Sequence, residues 1–214
     1  MFIDYLTMML VNMAAGLLVL AVFLWGGKSK VWSAGLAVAG GVAFIGGLHI
    51  IFTWPLPGCF NMAFGETSVL LGSILLGAAL SAAMGWSLAP VGVYALVPAA
   101  AAILLGVRIY GLGLTASPPM TAVGFILTGA GGMVAAISFM LAAHRGVARL
   151  AAVMLLVAAL LWAFLGLSAY WVHAKSLGAY KPASMSQAAT TQPAATQPAE
   201  AQAARNQLAT RAAD

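Results

Sequence analysis

Side chains that could bind a ligand, carry a proton or hold a metal are scarce in this sequence. Its 214 residues include nine Lys or Arg, four Asp or Glu and three His. Several of these gather near one set of predicted helix ends. Ionisable groups that are partly removed from water need partners or a ligand, so such a gathering marks a candidate site. The candidate cluster comprises Asp4, His49, Glu66, Arg108 and Tyr110.

Three interpretations of this cluster are open. In the first, Asp4, Glu66 and Arg108 form a structural ion-pair network to which His49 is hydrogen-bonded. In the second, the cluster binds a small polar ligand or a proton, with titration of His49 and Glu66 and with Arg108 holding an anion. In the third, His49 and His173 ligate a b-type haem or a metal, because two His are the minimum for bis-His ligation. We predict no cofactor, since His173 is expected outside the membrane.

Motifs of known catalytic sites are missing from the sequence. It has no GxSxG, HExxH, P-loop or dinucleotide-binding pattern. The single cysteine, Cys59, has no neighbouring base to activate it and no partner for an internal disulfide. These observations favour a protein that is not an enzyme.

The elements that position the cluster are long apolar segments. Hydrophobic residues make up 63% of the chain and charged residues 6%, and the mean hydropathy is +1.02. This composition excludes an ordinary soluble domain, and segments of about 20 apolar residues are typical of helices that cross a bilayer. We therefore predict an all-α, polytopic membrane protein with a six-helix bundle in residues 1–175. The predicted helices are 5–25, 32–52, 67–86, 91–107, 120–143 and 150–171.

The tail, residues 176–214, is rich in Ala, Thr, Gln and Pro. It lacks the apolar side chains that would offset the entropy of ordering, so we predict a disordered segment.

The predicted connections alternate between short and long. The long ones are 53–66 and 108–119, and the first is apolar and rich in Pro. We expect it to fold back over the bundle as a cap. The predicted capping residues are Trp54, Pro55, Pro57 and Gly58.

Basic residues near the helix ends predict the orientation. Four of them lie on the short-loop side, against three on the long-loop side. We expect the short loops in the cytoplasm and both termini outside. The four are Lys28, Lys30, Arg145 and Arg149; the three are Arg108, Lys175 and Lys181.

An internal repeat is a further interpretation. With an offset of 59 residues, Gly47 aligns with Gly106 and Ile50 with Ile109, and His49 lies opposite Arg108. Helices two and three would then form one hairpin and helices four and five its copy. Small residues at every fourth position in helices two, three and five indicate close helix packing.

Three segments, Met1 to Met13, Gly47 to Gly58 and Asn61 to Glu66, carry a resemblance. They are similar to an uncharacterised family of predicted prokaryotic membrane proteins, the domain of unknown function nine-eight-one, over residues 1–175. The resemblance implies an integral membrane protein. It implies no activity and no site residue.

We therefore predict a multi-pass protein of the cytoplasmic membrane whose polar cluster binds a small polar ligand or organises a membrane complex. One alternative is a redox subunit that binds haem b or quinone near His49. Another is a transporter of a small solute or protons. The expected partners are the lipid bilayer and other membrane subunits or a second copy of the chain, and not nucleic acid.

Overall fold

The computed structural model describes residues 4–58, 60–141 and 144–177, with side chains as far as Lys175. All regular structure in these residues is helical, and six helices are long and apolar enough to cross a membrane. The predicted all-α fold with six candidate membrane spans is thereby confirmed. The helices are α1 (Tyr5–Trp25), α2 (Ser33–Thr53), α3 (Thr67–Met84), α4 (Ala89–Leu112), α5 (Pro118–Met140) and α6 (Arg145–Leu177).

The chain divides into two compact units, Met1–Trp171 and Val172–Asp214. The bundle described below is the first unit. Apart from the last residues of α6, the predicted tail lies outside the described residues.

Glycines set two helix boundaries that the apolar pattern misplaced. Gly85 ends α3 with a φ of 70° and Gly113 ends α4 with a φ of 62°, a left-handed conformation that favours glycine. As a result α4 continues through Arg108 and Tyr110, and the connection 113–117 is much shorter than the predicted loop.

Two further segments differ because helical structure begins earlier than the long apolar runs. A π-helical segment, Asn61–Glu66, leads directly into α3 and occupies the second half of the predicted 53–66 loop. The α6 helix begins at Arg145 instead of residue 150, since Ala148 is already buried in the bundle.

Two helix pairs, α2 with α3 and α4 with α5, approach each other very closely. A Cβ atom on Gly72 would lie 2.5 Å from the backbone nitrogen of Phe44 in α2, and one on Gly129 would lie 2.5 Å from the carbonyl oxygen of Ala99 in α4. Only glycine fits at such positions, and the van der Waals contact of the two backbones holds each pair together. We call these two contacts the glycine seams.

The seams correspond between the two hairpins. A Cβ atom added to Gly47 would lie 2.8 Å from the carbonyl oxygen of Gly65. One added to Gly106 would lie 2.9 Å from the carbonyl oxygen of Ala122. The first helices of the hairpins therefore align with the offset of 59 residues, as in the predicted repeat. The second helices align with an offset of 57 residues, because the connection in the second hairpin is shorter.

Aromatic side chains fill the middle of the bundle, where α5 and α6 meet the π-helical segment. Trp162 is fully buried, with Phe125 and Phe64 edge-on to its ring at centroid distances of 5.3 and 6.5 Å. Its indole N–H donates to the hydroxyl of Thr128 at 2.9 Å. Gly124 leaves room for the indole, since an added Cβ would lie 2.7 Å from it.

Candidate functional site

We call the end of the bundle that holds Asp4 and the connections 54–60 and 113–117 the long-loop end. Asp4 caps α1 there. Its carboxylate accepts from the backbone N–H of Thr7 at 3.1 Å and from the Thr7 hydroxyl at 2.6 Å. A carboxylate in this position satisfies free backbone donors and interacts favourably with the helix dipole. The contacts of Asp4 with Thr7 are thus those of a helix cap.

His49 pairs with a residue of the neighbouring helix. Its Nε2 lies 2.9 Å from the hydroxyl of Tyr5, and the two rings are 5.1 Å apart. The imidazole is exposed at the surface of the bundle, whereas the next residue, Ile50, is fully buried. Tyr5 was not a predicted member of the cluster. Its partner is 44 residues away, and nothing in the local pattern indicates the contact.

Glu66 and Arg108 line one recess of about 340 Å³ between the start of α3 and the end of α4. Glu66 is the last residue of the π-helical segment, a type of helix that is rare and often occurs at functional sites. Both charged side chains are exposed, and the remaining lining is mainly apolar. We call this the Glu66–Arg108 recess; its apolar lining includes Phe60, Met62, Leu70, Leu104, Leu105 and Leu114.

Tyr110 is not part of that recess. It lies two residues beyond Arg108 in α4, is 64% exposed, and does not line the cavity. Residues two apart on a helix point in different directions, which separates it from Arg108.

Asn61, which is 1% exposed, organises residues 54–58 of the connection between α2 and the π-helical segment. Its side-chain oxygen accepts from the backbone N–H of Leu56 at 2.9 Å, and its amide donates to the carbonyls of Leu56 and Gly58. Phe60 extends this connection to the Glu66–Arg108 recess. The predicted capping residues Trp54, Pro55, Pro57 and Gly58 are themselves exposed.

No role was predicted for Asn61 from the sequence, although Asn61 is the first residue of one of the segments that carry the family resemblance.

The repeat relates the two polar groupings at this end. His49 and Arg108 occupy equivalent positions near the ends of α2 and α4. The first contacts Tyr5 at the start of α1, and the second shares a recess with Glu66 just before α3. Each polar residue therefore lies beside the beginning of the preceding helix.

The metal and haem interpretations concern His49 and His173. His173 lies within α6 in the second unit, beyond the predicted helix end. In residues 4–58, 60–141 and 144–177, no three His, Cys, Asp or Glu side chains are grouped so as to hold a metal. Cys59 lies outside the described residues.

Residues 1–176 match the model of the family described as "Protein of unknown function (DUF981)". No curated protein and no solved structure matches the chain. The match includes α1 to α5, α6 as far as residue 176, and every segment that carries the resemblance seen in the sequence. The chain therefore belongs to the family "Protein of unknown function (DUF981)".

Proposed function

We propose that this protein is a non-enzymatic, multi-pass protein of the cytoplasmic membrane that binds a small amphiphilic ligand in the Glu66–Arg108 recess. The observation that supports this most strongly is the lining of that recess, where one carboxylate and one guanidinium face the same apolar cavity. Ionisable side chains within membrane-spanning segments are rare, and they commonly mark a functional site.

The shape and lining of the recess favour a ligand with an apolar body and a polar end. A volume of about 340 Å³ is within the range of small-molecule sites. Leu70, Leu104 and Leu105 would contact the apolar body. Arg108 offers paired donors to an anionic end, and Glu66 would accept from a cationic one.

The proposed orientation places this recess at the outer leaflet. In the described residues the short-loop end carries Lys28, Lys30, Arg145 and Arg149. Of these described residues, Arg108 is the one Lys or Arg at the long-loop end of the bundle, and Lys175 lies in the last turn of α6. Basic residues are enriched on the cytoplasmic side. The long-loop end would then face outwards.

Photo-crosslinking of two amphiphiles tests the proposal. The purified protein, in lipid nanodiscs, is exposed to a diazirine-bearing fatty acid or a diazirine-bearing alkylamine, and the crosslinked residues are mapped by mass spectrometry. With the fatty acid we expect crosslinks at the recess lining. Arg108→Gln should reduce them about tenfold, as for a lost charge-assisted contact, and Glu66→Gln should increase them. For the alkylamine the two effects should be exchanged.

Arg149→Gln, at the opposite end of the bundle, is the matched control and should leave the recess crosslinks unchanged. Crosslinks spread evenly over the lipid-facing surface, and indifferent to Arg108 and Glu66, would contradict the proposal. Docking of another membrane subunit would instead appear as protection of the recess in complexes isolated from native membranes. An oxidised-minus-reduced spectrum of the same sample tests the redox alternative, for which a Soret band with stoichiometric iron is required.

A further inference from the structure

A second recess lies at the short-loop end, between the turn that follows α1 and the first turn of α6. Its volume is about 400 Å³. Four basic side chains, Lys28, His144, Arg145 and Arg149, line it together with Trp25. We call it the basic recess. From the sequence, the residues Lys28, Arg145 and Arg149 contributed only to the predicted orientation.

The backbone after α1 directs Lys28 towards the protein. Lys28 has a φ of 64°, and its N–H donates to the carbonyl of Phe23 at 2.8 Å. Its ammonium donates to the carbonyl of Ser138 in the last turns of α5 and lies 5.7 Å from the centroid of the Phe139 ring. Burial lowers the pKa of this ammonium below its ordinary value of 10.5. An anion in the recess would compensate for the lost hydration.

The start of α6 supplies the other charges. Arg145 and Arg149 are four residues apart and so lie on the same side of the helix. The guanidinium of Arg149 lies 5.6 Å from the centroid of the Trp25 ring, which fixes its position by a cation–π contact. The N-terminus of α6 adds the partial positive charge of its dipole.

No carboxylate of the described residues is near enough to neutralise this recess. The carboxylate side chains in that part of the chain are Asp4 and Glu66, both at the long-loop end. Asp4 and the Lys28 turn are separated by the 21 residues of α1, which corresponds to about 31 Å. A concentration of positive charge without a neighbouring carboxylate attracts anions from outside the described residues.

We infer that the basic recess binds a phosphate group, presented by an anionic phospholipid or by a soluble phosphate. Arginine pairs recognise phosphate oxygens through several parallel hydrogen bonds. Trp25 is 59% exposed beside the recess, as expected for an aromatic residue at the level of lipid headgroups. Basic pockets between membrane helices bind anionic headgroups in the same way.

The test measures retention of phosphatidylglycerol and phosphatidylcholine by the detergent-solubilised full chain, using native mass spectrometry. We expect preferential binding of phosphatidylglycerol. Arg145→Gln and Arg149→Gln should each weaken it about fivefold, and the double variant about 25-fold, as for one interaction per lost charge. Lys30→Gln is the matched control. It removes one charge at the same end without lining the recess, and it should change binding less than twofold.

The double variant Arg145→Lys plus Arg149→Lys keeps both charges and loses the parallel guanidinium hydrogen bonds. It should bind phosphatidylglycerol less tightly than the unsubstituted chain and more tightly than the double Gln variant, a graded order that loss of folding would not produce. Inorganic phosphate is then added as a competitor. Displacement of phosphatidylglycerol at millimolar phosphate identifies a site open to soluble phosphate, and resistance identifies the lipid headgroup as the source. Equal losses for Lys30→Gln and Arg145→Gln, or equal retention of the two lipids, would overturn the inference.

Discussion

At the scale of single residues, Trp162 makes the most varied contacts in the middle of the bundle. Its ring packs edge-on against Phe125 and Phe64, and its N–H reaches Thr128 at 2.9 Å. A polar hydrogen in an apolar interior needs such an acceptor. The hydrogen bond therefore links α6 to α5 at this level.

A double-mutant cycle measures that hydrogen bond. Trp162→Phe, Thr128→Val and the double variant are unfolded with SDS in mixed micelles. We expect a coupling energy of about 0.6–1.5 kcal/mol, since replacing either residue leaves the other without its hydrogen-bond partner. Strictly additive single effects would show that the bond contributes nothing to the free energy of unfolding.

Some residue roles were accessible from the sequence and others were not. Asp4 immediately before a predicted helix is a common N-cap, so its contact with Thr7 follows from a local rule. The pairs Tyr5–His49 and Glu66–Arg108 join residues 44 and 42 positions apart. Their proximity depends on how whole helices pack, which no local pattern specifies.

At the scale of elements, the two glycine seams are the closest helix contacts described above, and each joins the two helices of one hairpin. They occur at corresponding positions in the α2–α3 and α4–α5 hairpins. Small residues at the seams allow backbone atoms of neighbouring helices to approach within van der Waals distance. The two hairpins run in the same direction through the bundle, because α2 and α4 both end at the long-loop end.

Alanine substitutions test the seams. Gly72→Ala and Gly129→Ala should each lower the free energy of unfolding by about 1–3 kcal/mol, because the added methyl group meets backbone atoms that cannot move aside. Thermal unfolding in detergent provides the measurement. Gly41→Ala in α2 is the control, since no atom of another helix lies within 4 Å of its added Cβ. We expect it to be neutral or to stabilise the helix by up to about 1 kcal/mol. Equal damage at all three positions would contradict this account.

Apolar segments of bilayer length are a strong signal, and the six helices were predictable from them. The helix ends were less so. Arg108 and Tyr110 are polar but still helical, and the true stop is the left-handed Gly113. The predicted offset of 59 residues is wrong for the second helices of the hairpins, α3 and α5, which align with an offset of 57 residues. The connection from α4 to α5 is two residues shorter than that from α2 to α3, and a single fixed offset cannot represent this difference.

At the scale of the whole molecule, the two ends of the bundle differ in charge. The short-loop end has four Lys or Arg side chains and no carboxylate in the described residues, whereas Asp4 and Glu66 lie at the long-loop end. Composition alone predicted a membrane protein. It could not identify a ligand, because both recesses combine residues from distant parts of the chain.

Cysteine accessibility tests the orientation. In a Cys59→Ser background, Ala116→Cys reports on the long-loop end and Ser87→Cys on the short-loop end, and both positions are exposed. A membrane-impermeant maleimide added to intact cells should label residue 116 at once, and residue 87 only after permeabilisation, as the positive-inside rule requires. The reverse pattern would place the long loops in the cytoplasm.

The arrangement of the glycine seams also bears on how the chain can be divided. Each seam lies within one half of the sequence, and the turn Gly85–Leu88 is the covalent link between the halves. A chain cut in that turn would give two fragments of three helices, each retaining its closest backbone contact. Helices that are stable separately in the bilayer can associate by lateral diffusion. Two genes that encode the halves should therefore suffice to produce the same bundle.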